Sequence, residues 1–228
     1  VKQRRFLKMF YPDDNNCQCR PNPEKKQISF IRFLNAVPNE PNISFDIYIN
    51  RKLVIRHLKY EDFTEYIPAR AGVHMVQVFP ADNHTEQLLD IRLNLEPDKI
   101  YTAAIIGPIT NVEIEVFEDK FIEGSEDYAH MRFINLSPSE TSLNVLIDDT
   151  PVVYDLKFTE ATDYLRLEEG KHTMLVETSD ENKRVIYHPN MVLKNGNIYT
   201  AYMVGYTDGE PFIQTLIPLD GSSYIEIK

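Results

Sequence analysis

Polar and apolar residues alternate with a period of two along most of this chain. In Phe45-Asp-Ile-Tyr-Ile-Asn50, the residues Phe45, Ile47 and Ile49 fall on one face. Leu143, Val145 and Ile147 repeat that face, and Val112, Ile114 and Val116 alternate with Glu113 and Glu115. Successive side chains of a strand point to opposite sides, so this spacing predicts half-buried β-strands. The runs are rich in β-branched and aromatic residues, which pack well on a pleated surface. Turn chemistry separates them at Pro38-Asn-Glu-Pro41, Asn50-Arg-Lys52, Ala71-Gly72, Glu96-Pro-Asp-Lys99 and Asn195-Gly-Asn197. No long amphipathic helical pattern interrupts the series.

The strand pattern occurs twice. Ile31-Arg-Phe-Leu-Asn-Ala-Val-Pro38 returns as Met131-Arg-Phe-Ile-Asn-Leu-Ser-Pro138, an offset of 100. Leu58-Lys-Tyr60 returns as Leu156-Lys-Phe158, Tyr66 as Tyr164, Gly72-Val-His74 as Gly170-Lys-His172, Ile100-Tyr-Thr102 as Ile198-Tyr-Thr200 and Gly107 as Gly205, all at an offset of 98. A period this long is a whole small domain rather than a solenoid repeat. The chain therefore divides into an arm at residues 1–26, a first domain at 27–118, an acidic connector at 119–127 and a second domain at 128–228. Each copy offers about seven short strands at spacings of roughly 8–14 residues, which predicts an all-β fold of two tandem immunoglobulin-like antiparallel sandwiches. Only the architecture of antibody domains carries over, since the chain has no Trp and no Cys in either copy. Tyr101 and Tyr199 each open an apolar strand, and each is expected to be a buried tyrosine corner with its hydroxyl tied to backbone. Gly72 and Gly170 are expected to be turn residues with positive φ.

The order of these motifs, from the Asn-x-x-Pro turn through Leu-Lys-Tyr/Phe, Tyr, Ala-Gly-x-His and Lys-x-Tyr-Thr to Gly, resembles the domain-of-unknown-function 4397 family. The resemblance spans about residues 28–217 and leaves out the arm. It implies a bacterial protein, often secreted or surface-attached, with paired sandwich domains. It implies no catalytic residue and no cofactor. The usual family opening is His-Ala-Ser-Pro; here Asn35-Ala-Val-Pro38 and Asn135-Leu-Ser-Pro138 stand in its place.

The net charge of −11 argues against nonspecific nucleic-acid binding and against anionic membrane surfaces. No apolar run reaches membrane-spanning length. The stretch Val1-Lys-Gln-Arg-Arg-Phe-Leu-Lys-Met-Phe10 lacks the apolar core and small-residue cleavage site of a signal peptide. The expected location is nevertheless extracellular, or on a cell or spore surface. Enzymatic motifs are lacking: there is no phosphate-binding Gly loop, no Gly-x-Ser-x-Gly elbow and no His-Glu-x-x-His. His74 and His172 repeat, but the remaining histidines, His57, His84, His130 and His188, supply no ligand spacing, so a packing role at strand edges is expected. The connector acids Glu118, Asp119, Glu123, Glu126 and Asp127 offer hard oxygen ligands that would suit calcium. Without an EF-hand pattern they read first as a solvated linker.

The only cysteines, Cys17 and Cys19, lie in the arm. They are the candidate intersubunit disulfide positions, because a bridge between cysteines two apart is strained. The expected function is a non-enzymatic structural protein that self-associates, as a fibre or coat subunit, through the arm and these thiols. The alternative is an adhesin or glycan-binding module using exposed aromatics, with Tyr154, Tyr187, Tyr206 and Tyr224 as candidates.

Overall fold

The computed structural model describes residues 27–38, 43–83, 85–123 and 125–227. The arm with Cys17 and Cys19, and also His84, lie outside the described residues. The first copy contains β1 (Ile28–Asn35), β2 (Ser44–Ile49), β3 (Lys52–Lys59), β4 (Ile67–Arg70), β5 (Gly72–Pro80), β6 (Leu89–Leu95), β7 (Ile100–Ile106) and β8 (Glu113–Glu118). The second contains β9 (Ala129–Asn135), β10 (Leu143–Ile147), β11 (Thr150–Leu156), β12 (Leu165–Leu167), β13 (Gly170–Thr178), β14 (Arg184–Leu193), β15 (Ile198–Val204) and β16 (Gln214–Leu216).

Each copy is a sandwich of two four-stranded sheets, ordered β4-β1-β7-β8 and β3-β2-β5-β6 in the first, β12-β9-β15-β16 and β11-β10-β13-β14 in the second. The tandem sandwich follows the sequence pattern, with two differences of detail. Among the described residues, eight strands form in each copy against the expected seven or so. One pairing per copy is parallel: β1 with β7 and β9 with β15. A parallel pair needs a long crossover, and here the intervening strands supply it.

The tyrosine corners are present. The backbone N–H of Glu96 donates to Tyr101 Oη, and that of Lys194 to Tyr199 Oη, each at 3.2 Å. Gly72 and Gly170 have φ of 123° and 150°, values that glycine alone adopts cheaply. Asn35 and Asn135 are fully buried hubs. Each Oδ1 accepts the N–H two residues on, from Val37 or Ser137, and each Nδ2 donates to the carbonyl of Leu58 or Leu156 on the facing sheet. Each asparagine thus closes its turn and ties the two sheets together.

Inside the first sandwich, Ile31, Phe33, Phe45, Ile47, Val76, Val78, Ala103 and Ile105 form one core. Met131, Phe133, Leu143, Val145, Met174, Val176, Ala201 and Met203 form its counterpart. Strands β1, β7, β9 and β15 depart from the half-buried expectation, because they are buried on both faces. The reason is a third cluster of Leu34, Ala36, Ala104, Ile106, Phe117, Ile134, Leu136, Tyr202 and Val204, drawn from both copies. The sheets β4-β1-β7-β8 and β12-β9-β15-β16 meet face to face. One side of β1 (Phe33) fills its own sandwich, and the other side (Leu34) fills the junction.

Candidate functional site at the domain junction

Alternation places Arg32 on the junction face of β1 and Arg132 on that of β9. Parallel pairing puts Thr102 beside Arg32 and Thr200 beside Arg132. Asp119 and Asp220 follow, held at the starts of β7 and β15 because their N–H groups donate to the carbonyls of Ile100 and Ile198. Tyr66 and Tyr164 complete two matching sets of Arg, Thr, Asp and Tyr. All four charged residues are at most 4% exposed.

The contacts are exchanged between the domains. Arg132 Nε donates to Thr200 Oγ1 in its own domain at 2.8 Å, while Nη1 and Nη2 reach the Glu118 carbonyl and Asp119 Oδ1 of the first domain, both at 2.7 Å. Arg32 Nε donates to Thr102 Oγ1 at 2.9 Å, Nη1 donates to the Leu219 carbonyl at 3.0 Å, and Nη2 faces Asp220 Oδ1 at 3.6 Å. Thr102 and Thr200 hydroxyls donate in turn to Asp119 and Asp220. Tyr66 donates to Asp119, and Tyr164 to Asp220 at 2.5 Å. The Tyr66 oxygen also accepts the N–H of Gly221 across the junction at 2.9 Å. The arginines stack over Tyr66 and Tyr164 at 4.7 and 4.8 Å from the ring centroids.

Two guanidinium and two carboxylate groups balance in charge, which is the condition for burying ions without ruinous cost. Burial opposes charge on both arginines, yet the surrounding phenol and carboxylate oxygens outweigh it and hold both above the ordinary arginine value. Burial, and then the Asp119 charge, push the Asp220 carboxyl above the ordinary carboxylate range. Burial likewise raises the Tyr66 and Tyr164 phenols, with Asp119 and Asp220 adding to it. The four charged groups are almost wholly shielded from solvent, and their contacts fasten the two sandwiches together. Beside it lies Tyr202, fully buried, whose hydroxyl has no hydrogen-bond partner among the described residues.

The sequence reading placed Asp119 in a solvated acidic connector. The structure corrects this: Asp119 is 1% exposed and pairs with Arg132. Its neighbours Glu123, Glu126 and Asp127 are exposed and do not join it. Among the described residues, no group of three or more His, Cys, Asp or Glu is placed to hold a metal ion. No described helix is long and apolar enough to cross a membrane.

His74 and His172 both anchor strand edges, with different chemistry. His74 Nε2 donates to the Arg70 carbonyl at 2.7 Å, and Nδ1 accepts from Asn50 Nδ2 at 3.1 Å. In the second copy Asp148 replaces Asn50, so His172 donates from both nitrogens, to Asp148 Oδ2 at 2.6 Å and to the Glu168 carbonyl at 2.9 Å. Burial works against charge on His172, but the Asp148 and Glu168 acceptors prevail and raise its pKa. Of the aromatic candidates, Tyr154, Tyr187 and Tyr224 are exposed at 71%, 67% and 60%. Tyr206 is half-buried and donates to the Pro38 carbonyl at 3.4 Å.

A family model described as Domain of unknown function (DUF4397) matches residues 29–143 and again residues 129–222. The chain belongs to this family. No curated protein matches it. Both DUF4397 copies carry the Arg, Thr, Asp and Tyr set, and each copy completes the other's. The sequence reading missed this site although both arginines stood in the quoted repeat. The available signal was an arginine at the same place in two mostly apolar strands.

Proposed function

We propose that this chain is a non-enzymatic structural subunit of a bacterial cell or spore surface. In this reading it assembles into a fibre or coat through residues 1–26, with Cys17 and Cys19 locking the contact between copies. The observation that carries the reading is the reciprocal junction. Each domain's arginine reaches the other domain's carboxylate, Arg132 by a hydrogen bond to Asp119 and Arg32 across 3.6 Å to Asp220, within an apolar cluster shared by both; Arg132 also faces Asp220 of its own domain at 3.5 Å. Such a junction makes two sandwiches one stiff unit, the property a load-bearing subunit needs and a hinged enzyme does not. An arm used head to tail is a heterologous contact, which generates rings or filaments.

Non-reducing and reducing gels beside negative-stain microscopy test this on the full chain. Reductant-sensitive multimers with filaments or sheets are the expected result. An assembly state indifferent to deletion of residues 1–26 would end the proposal.

A second reading, a glycan-binding adhesin, is favoured by one observation. Tyr154 on β11 and Tyr187 on β14 stand exposed on the two edge strands of the same sheet. A glycan array probed with the monomer decides it: a saccharide hit abolished by Tyr187→Ala supports this reading, and an array without hits removes it.

A further inference from the structure

The outward face of the sheet β11-β10-β13-β14 carries an apolar row that its counterpart in the first copy lacks. Val145, Ile147, Met174 and Val176 fill the core, so alternation turns Leu146 and Leu175 outward. Registered pairing sets Pro151, Leu146, Leu175 and Tyr187 side by side, one from each of the four strands. At the same places the first copy has Leu53, Tyr48, Gln77 and Asp90, and Gln77 Nε2 donates to Asp90 Oδ2 at 3.1 Å. A row that is half polar in one copy is thus free of charge and hydrogen-bonding side chains in the other, save the Tyr187 hydroxyl. Tyr154, Tyr187 and Val192 stand on the two edge strands of this sheet, and they are three of the seven exposed large apolar side chains among the described residues. Such residues are ordinary when scattered singly; gathered on one sheet they mark a contact surface.

We infer that this face is an isologous interface, and that its occupant is the same face of a second copy of this chain. Three arguments favour a second copy. The first is charge placement. Lys171 and Glu177 lie on the outward side of β13, before Thr173 and after Leu175. A half-turn about an axis across the strands, between Thr173 and Leu175, lays β13 antiparallel over its twin. It sets each Lys171 against the partner's Glu177. Glu177 already takes Arg184 Nε at 3.5 Å, and that arginine side chain is 76% exposed, so the approach adds a cation to this carboxylate and breaks no buried pair. The second argument is the surrounding field. The chain carries a net charge of −11, so two copies repel over most of their surfaces. Apart from histidine, β13 and β14 hold two cations, Lys171 and Arg184, against the one carboxylate of Glu177, which makes this a face where approach is not opposed. The third is area. Four strands about 4.8 Å apart, with nine residues of about 3.3 Å each along β13, give a face of about 550 Å² per copy. The total of about 1,100 Å² clears the lower bound for a specific interface and belongs to the weak, reversible class. The inference goes beyond the assembly proposal, because an arm used head to tail makes a heterologous contact, whereas this one closes on itself.

Sedimentation velocity of the full chain in reductant, over a wide range of concentration, tests the interface. A reversible dimer is expected. Lys171→Glu and Glu177→Lys each bring like charges together at both ends of the contact, and each alone should weaken dimerisation at least about tenfold. An equal mixture of the two variants should restore it, since every such contact is then between opposite charges. Tyr187→Ala alters an exposed side chain and should weaken the dimer about tenfold, as truncation of an interface aromatic does. Thermal unfolding of each variant verifies that the fold is kept. A monomer at every concentration, a dimer unmoved by the reversals, or a mixture no stronger than its components would overturn the inference. Self-association that survives all three substitutions but disappears on deletion of residues 1–26 would sink this interface and leave the assembly proposal standing; the opposite pattern would keep the interface and end the assembly proposal.

Discussion

Arg132 of the second sandwich closes on Asp119 of the first at 2.7 Å, with both side chains at most 5% exposed. The pair spans only 13 residues of sequence, yet it joins two domains, because the connector between them turns the chain from β8 directly into β9.

Breaking one side of this pair strands the other as a buried ion. Arg132→Met is expected to cost about 3–5 kcal/mol, the usual penalty for an uncompensated buried charge. The double variant Arg132→Met with Asp119→Leu removes both charges and should recover most of that loss. Urea unfolding of the two single variants and the double variant reads the coupling. If the cost of the double variant equals the sum of the two single costs, the contact does not hold the junction.

Tyr202 carries a buried hydroxyl with no hydrogen-bond partner among the described residues, at a position where the first copy has Ala104 in the same shared cluster. Tyr202→Phe keeps the ring, which packs against Phe63 at 5.6 Å, and discards the unsatisfied group. Relief of about 1 kcal/mol is expected, seen as a higher melting temperature. A loss of similar size would show that the hydroxyl is satisfied in solution.

The second copy carries a pH-responsive pair, His172 and Asp148. The folded pKa of His172 is raised, so its stabilising contribution is complete below the ordinary histidine value and is lost as pH rises through the raised value. The backbone N–H of Thr173 and then the His172 contact hold Asp148 below the ordinary carboxylate range. Its contribution is therefore present above that range and is lost as pH falls through the lowered value. Asp148→Asn recreates the Asn50–His74 arrangement of the first copy. NMR titration of the His172 ring should place the wild-type midpoint above about 6.5, and the variant should lose that elevation. Identical midpoints would refute the ion pair. Asp148 is half exposed, so the cost to stability is expected to stay within about 1 kcal/mol.

Gly221 tests the closeness of the junction. A Cβ there would lie 2.7 Å from Ile100 Cγ2 and 2.9 Å from the Tyr66 ring, both in the other domain. Gly221→Ala should therefore cost about 1–3 kcal/mol through overpacking. Hydrogen exchange should show faster opening around Asp119 and Asp220 than in the sandwich cores. Unchanged protection at the junction would contradict the close approach.

The sandwiches were legible because their cues are local. Alternation, turn residues and the two Tyr-Thr openings each read correctly within a few positions, and the corners at Tyr101 and Tyr199 formed as expected. The junction was not legible. Its four charges lie 87 residues apart in the first copy (Arg32 and Asp119) and 88 in the second (Arg132 and Asp220), and come from two copies at once; no window of sequence shows that two sheets face each other. Asp119 illustrates the difficulty: surrounded in sequence by Glu118, Glu123, Glu126 and Asp127, it looks solvated, and only the reach of Arg132 makes it a core residue. The full burial of Ile100, Thr102 and Ala104 had the same hidden cause. The histidines divided differently. Their strand-edge place was readable from the repeat, but the ion pair of His172 depended on one exchange, Asn50 for Asp148.

The exchange of contacts at the junction has the form of a self-complementary interface, in which residue i of one body meets residue j of the other and j meets i. That is the geometry of a twofold homodimer, here contained in one polypeptide. The molecule thus resembles a tethered dimer of two copies of one domain. Each half still carries both sides of the contact. Separately expressed halves should find each other, and two identical halves should pair as well, with the covalent link raising the effective concentration of a union the surfaces already specify.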